Sequence, residues 1–297
     1  MHINSIRVLL IFLVISSSLL AQEFQLNGQT IESLAFHSKI MKRDIEYSVY
    51  LPPDYGKTDD TYPVLYALHS FGNTHSEYIK GIQLHQLADK LVSQGSIQPF
   101  IIVTPDAWNT WYLNSYNHEV RYEDMFFEEF LPLIETHYQT NTHKGGRALL
   151  GFSMGGSGSF LYAMKHPDQF ATAVGYCAGF STKMQIIADR DTDYKIYHHS
   201  LYGANLKSHN RVNAHFLDNN PLYLAKKLPA EQLRSVKWFI STADLDFHSI
   251  GNAELHITFR ERNIPHEFRV TDGDHTYEHV EAVLEASLIF IGETFNK

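Results

Sequence analysis

Five residues, Gly151-Phe152-Ser153-Met154-Gly155, carry the strongest chemical signal in this chain. An apolar run from Arg147 to Phe152 enters them, and a stretch of small and apolar residues leaves them as far as Met164. Gly-X-Ser-X-Gly between a strand and a helix is the nucleophile elbow. Its turn is too tight for side chains at the flanks, and the serine sits in strained backbone with its hydroxyl projecting. The pentapeptide alone arises by chance, and would then be a glycine-rich turn with an inert serine; the strand before it and the helix after it give it weight. Neither Gly-X-Gly-X-X-Gly nor a Gly-Lys-Ser/Thr ending occurs in this stretch, which excludes a dinucleotide or P-loop reading.

A serine hydroxyl is a poor nucleophile at neutral pH and needs a base within hydrogen-bond reach, itself oriented by a third group. On such elbows the acid follows the serine in the chain and the histidine follows the acid. His275 ends Val270-Thr271-Asp272-Gly273-Asp274-His275, where a strand runs into a turn ahead of the last helix. His279, one turn into that helix, is the rival base, and capping the helix is the bland use of His275. Asp244 and Asp246 follow the strand that begins at Val236. Either could be a plain loop acid, and distance from the strand does not decide between them. The developing oxyanion needs backbone N–H donors. Met154, after the nucleophile, supplies one candidate, and Phe71, in the loop Leu68-His69-Ser70-Phe71-Gly72-Asn73, supplies the other.

These residues need a frame. Apolar, β-branched-rich runs bounded by turn residues predict strands over Ile45 to Leu51, Pro63 to His69, Phe100 to Thr104, Arg147 to Phe152, Ala171 to Cys177, Val236 to Ser241 and His266 to Val270. Helical spacing covers Tyr122 to Tyr138, Gly156 to Lys165, Leu222 to Leu228, Asn252 to Arg262 and Tyr277 to Phe295. Strands alternating with helices give an α/β fold with a mostly parallel central sheet flanked by helices. Charged, aromatic and histidine residues break any period over 181–220, which reads as a cap-like insertion at the edge of the sheet where such folds place ligands.

The 297 residues are 44% hydrophobic and 19% charged, enough to bury a large core in one catalytic domain over residues 22–297. Residues 1–21 place Arg7 before an apolar run, Val8 to Ile15, and end in small residues at Ala21; this is the layout of a cleaved signal peptide, and the expected location is secreted or periplasmic. The run is shorter than the about 18 residues a spanning helix needs, so no stable membrane anchor is expected after cleavage. The formal charge of −9, without a basic stretch interleaved with aromatics, argues against a nucleic-acid partner. Cys177 is the only cysteine, so no intramolecular disulfide forms; lying in an apolar strand, it reads as core and not as a nucleophile. Asp189, Asp191 and Asp193 alternate like a calcium loop, but Tyr194 and Ser200 stand where its Gly and Glu belong. His198-His199 has no helical partner at metal-ligand spacing. No metal or other cofactor is expected.

With these motifs in place, the chain resembles the esterase D-like, or putative esterase, family of α/β-hydrolases, whose members include tributyrin, feruloyl and acetylxylan esterases, S-formylglutathione hydrolases and mycolyltransferases. The likeness rests on Tyr50-Leu51-Pro52-Pro53-Asp54-Tyr55, Tyr62-Pro63-Val64-Leu65-Tyr66, Trp111-Tyr112-Leu113-Asn114-Ser115, Gly151 to Gly156, and His166-Pro167-Asp168 followed by Phe170. It implies the α/β-hydrolase fold and a secreted serine esterase acting through an acyl-enzyme on Ser153, with His275 as base. The family's Gly-X-X-Asp pattern, matched onto Ala243-Asp244-Leu245-Asp246, selects Asp246 as the acid, with Ala243 in place of glycine. Its His-Gly-X oxyanion segment matches His69-Ser70-Phe71, with Ser70 where glycine is usual. Export disfavours a cytosolic glutathione thioester and favours a small-molecule or carbohydrate ester, such as an acyl or feruloyl group on a polysaccharide. Acyl transfer through the same three residues, or a non-catalytic binding protein on the same fold, are the alternatives.

Overall fold

The computed structural model describes residues 27–295, so the leader reading of residues 1–21 lies outside the described residues. Eight strands form one sheet: β1 Gln29–Ser38, β2 Arg43–Leu51, β3 Val64–Leu68, β4 Ile101–Pro105, β5 Arg147–Phe152, β6 Thr172–Tyr176, β7 Lys237–Ala243 and β8 His266–Thr271. Their spatial order is β1-β2-β4-β3-β5-β6-β7-β8. β2 pairs antiparallel with β1 and with β4, and all other neighbours are parallel.

The inner strands are short and buried from end to end because both faces of the sheet are covered. Alternate side chains serve opposite faces: Val64, Tyr66 and Leu68 join one apolar cluster, while Leu65 and Ala67 join the other. Twelve α-helices lie among the described residues: α1 Leu84–Ser93, α2 Tyr122–Met125, α3 Leu131–His137, α4 Met154–Lys165, α5 Lys183–Ala188, α6 Asp191–Tyr197, α7 His199–Tyr202, α8 Ala214–Asp218, α9 Pro221–Lys227, α10 Ala230–Arg234, α11 Ser249–Glu261 and α12 Tyr277–Phe295. Phe160 of α4 and Leu255 and Phe259 of α11 belong to the first cluster. Leu84, Ala88 and Leu91 of α1, with Val280, Leu288 and Ile291 of α12, belong to the second. This is the α/β-hydrolase fold.

The chain runs from β3 to β4 on one side and then crosses to β5 on the other, so the switch of direction lies between β3 and β5. Open α/β sheets bind ligands beyond the carboxyl ends of such strands, and here those ends lead into Phe71 and Ser153.

Several elements differ from the expected set, among them the short α10. β1 is an additional edge strand whose pairing slips between Ile31 and Leu34, with Ser33 at φ 56°. The bulge brings Ile31 and Leu34 to the same apolar cluster despite their odd spacing. α1 is an additional helix. Tyr122 to Tyr138 is helical as expected as far as His137, but widens to a π turn over Phe126–Phe130. Residues 181–220 fold as short helices gathered around Arg211, which is 1% exposed. Its guanidinium donates to the carbonyls of Asp189 (2.6 Å), Leu206 (3.1 Å) and Ile186 (3.3 Å) and to Asp191 Oδ1 (2.6 Å), and lies over the Tyr194 ring.

Candidate active site

β5 ends at Phe152 and α4 begins at Met154, so a single residue makes the reversal. That residue, Ser153, has φ 55° and ψ −115°, a conformation costing about 1–3 kcal/mol that persists only where the surroundings enforce it. The enforcement is steric and polar. A Cβ on Gly155 would stand 1.8 Å from the Leu68 carbonyl oxygen, and one on Gly151 would stand 2.1 Å from the Gly155 backbone. Ser153 N–H donates to the Tyr176 carbonyl at 2.9 Å, and its own carbonyl accepts from Gly179 N–H at 2.9 Å.

The acid and base loops follow β7 and β8. His275 Nδ1 lies 2.6 Å from Asp246 Oδ2, and the Asp246 side chain is fully buried. Burial works against the Asp246 charge. Hydrogen bonds from His275, from the Cys177 thiol and from His248 N–H outweigh it and hold the carboxyl below the usual carboxylate range. Because the carboxylate only accepts, Nδ1 carries the imidazole proton and Nε2 presents a lone pair. The ring is held between Phe152 (centroids 4.8 Å) and Phe247 (4.4 Å).

The two rivals have other partners. Asp244 is exposed and accepts the Gly273 N–H at 2.9 Å, bracing the turn before His275. His279 is 3% exposed, with Nδ1 bonded to Thr271 Oγ1 (2.6 Å) and Nε2 to Ser241 Oγ (3.0 Å); burial pushes its pKa down to about 4. Cys177 is buried at φ 43°. Burial, then its hydrogen bond to Asp246, pushes its thiol far up, so it stays protonated and donates.

Both candidate oxyanion donors lie at strand ends. Met154 is the first residue of α4, where an N–H has no partner within the helix. Beside Phe71, Ser70 N–H is taken by Glu77 Oε2 (2.7 Å) and Gly72 N–H by Asn109 Oδ1 (2.8 Å). Phe71 N–H has no acceptor among the described residues. Ser70 stands where glycine was expected, yet its φ is not positive and its hydroxyl is used, donating to Glu77 Oε1 at 2.5 Å.

Phe71, Ser153 and His275 line one cavity of 600 Å³. Phe71, Trp111, Phe152, Tyr197 and Phe247 give it aromatic walls, and the insertion adds Gln185, Asp189, Arg190, Asp193 and His198. His198 and His248 also face it; burial drives their pKa values down to about 4 and about 3, so both are neutral near pH 7. Sequence reasoning passed over His248, Phe247 and Tyr197, which have no motif of their own and matter only for where the fold brings them. Phe247 alone carries a signal, being next to a strand-end acid.

Fold and cavity thus define an α/β-hydrolase with a serine elbow and a buried acid–histidine pair. The chain belongs to the putative esterase family, whose model matches residues 38–291. It is 29% identical over 254 residues to Esterase Rv1288 of Mycobacterium tuberculosis, a match covering 77% of this chain and 52% of that protein. The chain therefore spans about half the length of that relative. A second match, 28% identical over 153 residues, is to an endo-1,4-beta-xylanase/feruloyl esterase of Xylanibacter ruminicola, covering 49% of this chain and 21% of that one. Among solved structures, a ferulic acid esterase superposes with a TM-score of 0.78 at 28% identity, covering 91% of this chain and 99% of the other. No helix among the described residues is long and apolar enough to cross a membrane.

Proposed function

We propose that this chain is an exported carboxylic ester hydrolase that works through an acyl-enzyme on Ser153. The observation that carries the reading is the 2.6 Å bond between buried Asp246 and His275, whose free Nε2 shares a cavity with a strained elbow serine. In the proposed reaction Nε2 takes the Ser153 proton as Oγ bonds to the ester carbonyl carbon. Phe71 N–H and Met154 N–H hold the oxyanion. The tetrahedral adduct collapses by breaking the C–O bond, and the alcohol leaves with the proton from Nε2. Water then attacks the acyl-enzyme, with Nε2 again as base, and releases the acid and Ser153. None of these steps calls on a metal.

We take the acyl group to be aromatic, a feruloyl-type acid esterified to a carbohydrate. Aromatic walls favour a flat ring by about 0.5–1.5 kcal/mol per ring pair beyond area burial, and relatives named feruloyl or ferulic acid esterase point the same way. Export rests on the leader pattern at residues 1–21.

A fluorophosphonate probe should label the wild type at Ser153 and leave Ser153→Ala unlabelled. A wild type that resists labelling overturns the acyl-enzyme reading. A feruloyl ester should then exceed a short aliphatic ester of the same alcohol by roughly tenfold in kcat/KM; the reverse order would overturn the acyl assignment alone.

A further inference from the structure

We infer that Glu77 is a positioning residue that sets the loop carrying the Phe71 N–H against the loop carrying His275, an inference that rests on the serine-esterase reading. Glu77 is 4% exposed and has no chemical step in the proposed reaction. Yet donors from two distant parts of the chain meet on its carboxylate. Oε2 accepts the Ser70 N–H at 2.7 Å. Oε1 accepts from Ser70 Oγ at 2.5 Å, Asn73 Nδ2 at 2.9 Å and Tyr277 Oη at 2.8 Å. Asn73 Nδ2 also donates to Tyr277 Oη at 3.2 Å. Burial, and then the charge of Glu77, pushes the Tyr277 hydroxyl up to about 12, so it remains a donor.

What these bonds fix is the peptide that carries the Phe71 N–H. That N–H and the Ser70 carbonyl belong to one planar unit and point in opposite directions, so aiming one aims the other. His69 Nε2 accepts the Ala107 N–H at 2.8 Å, which leaves Nδ1 to donate to the Ser70 carbonyl, also at 2.8 Å. Glu77 clamps the other end of the same residue through the Ser70 N–H. With Ser70 held through both its N–H and its carbonyl, the plane that carries the Phe71 N–H is fixed beside the cavity that Phe71 lines.

Tyr277 ties this clamp to the base. It follows His275 by two residues and packs on Phe152 (centroids 5.7 Å), the ring on which His275 itself stacks. Oxyanion stabilisation depends on donors lying about 2.7–3.1 Å from where the charge develops. A carboxylate spanning the donor loop and the base loop therefore acts on the transition state and not on ground-state binding.

The test is Glu77→Gln, with turnover counted per fluorophosphonate-titrated site. Ser70 N–H can only donate, so the amide oxygen must face it, which turns the amide NH2 toward the donors of Asn73 and Tyr277. The expected result is a fall in kcat of roughly tenfold with KM within about twofold. Affinity for a boronic acid, whose tetrahedral adduct places oxygen where the oxyanion forms, should fall by the same factor, while that for the product acid holds. Tyr277→Phe should lower kcat by a smaller factor, and the double variant should be no worse than Glu77→Gln alone, because the bond that Tyr277→Phe removes is among those Glu77→Gln already disrupts. The inference is overturned if kcat stays within about twofold in both variants, if KM carries the loss, or if only thermal stability falls. Should Glu77→Gln fail to fold, Tyr277→Phe decides alone: lower kcat at constant KM supports the inference, and unchanged kcat overturns it. Failure of the esterase reading is visible separately, as a wild type that the probe does not label.

Discussion

Replacing Asp246 by asparagine exchanges one carboxylate oxygen for an amide nitrogen at almost constant volume, and the surrounding donors dictate which oxygen is lost. Oδ1 accepts the backbone N–H of His248 at 2.5 Å, and a backbone N–H cannot become an acceptor. The amide oxygen must therefore face His248, leaving the NH2 toward His275 Nδ1. An NH2 there favours the tautomer with the imidazole proton on Nε2, the nitrogen that in the proposed reaction has to be empty to take the Ser153 proton. In serine proteases the equivalent wrong-tautomer change costs on the order of 10⁴ in kcat, or about 5.5 kcal/mol in the barrier. Asp246→Asn should approach that loss with KM little changed. Asp244→Asn is the control: its amide oxygen still accepts the Gly273 N–H, so it should stay within about tenfold of wild type. Both can be measured on one chromogenic ester, with protein confirmed folded by thermal melting. A crippled Asp244→Asn beside a near-normal Asp246→Asn would refute the argument from the His275 bond.

Two further outcomes follow from buried polar groups. His279, 3% exposed, has its pKa pushed down to about 4 by burial, against about 6.5 in the unfolded chain, so between these values the unfolded state binds the extra proton. Stability is then fully present above about pH 6.5 and is lost as pH falls toward 4, at up to about 1.4 kcal/mol per pH unit from this residue. In urea titrations across that range His279→Gln should flatten the slope, and an unchanged slope would show that His279 does not titrate on unfolding. Arg211→Ala leaves three carbonyls without their donor and should cost about 2–4 kcal/mol, with a rise in KM as the cavity wall built by the insertion loosens. Kinetics with KM at the wild-type value would mean that the insertion keeps its shape without this side chain.

Elements that follow a regular period were legible from the chain. The inner strands could be read because burial on both faces makes them nearly continuous apolar runs. β1 could not, because its bulge breaks alternation between Ile31 and Leu34. α1 has a legible stripe in Leu84, Leu87, Ala88 and Leu91, but it starts after a left-handed Gln83 (φ 56°) in place of a capping Ser, Thr, Asp or Asn, so nothing local marks its beginning. The candidates Ser153, Asp246 and His275 could be singled out because each stands just past the end of a legible strand, β5, β7 and β8. Spacing alone left Asp244 and Asp246 equal, and the choice needed a family pattern. The hydrogen bonds by which the structure separates them join residues 29 apart in sequence.

That separation explains why the rest of the site escaped the sequence. The sheet carries each candidate residue to one edge, but strand ends fix position only coarsely, whereas a nucleophile, base and oxyanion donor must agree to about 0.5 Å. Here the finer fit comes from single hydrogen bonds between separate elements: Asp244 to the Gly273 turn, His279 to Thr271 and Ser241, and Glu77 to Tyr277 across 200 residues of chain. None creates a local pattern, because each partner is an ordinary polar residue whose meaning depends on what the fold sets opposite it. Apolar periodicity is redundant, with many residues reporting the same strand. A hydrogen bond between two particular groups is not, so the loss of the Glu77–Tyr277 bond should leave the fold intact and fall mainly on kcat, and it is best probed by turnover and not by stability.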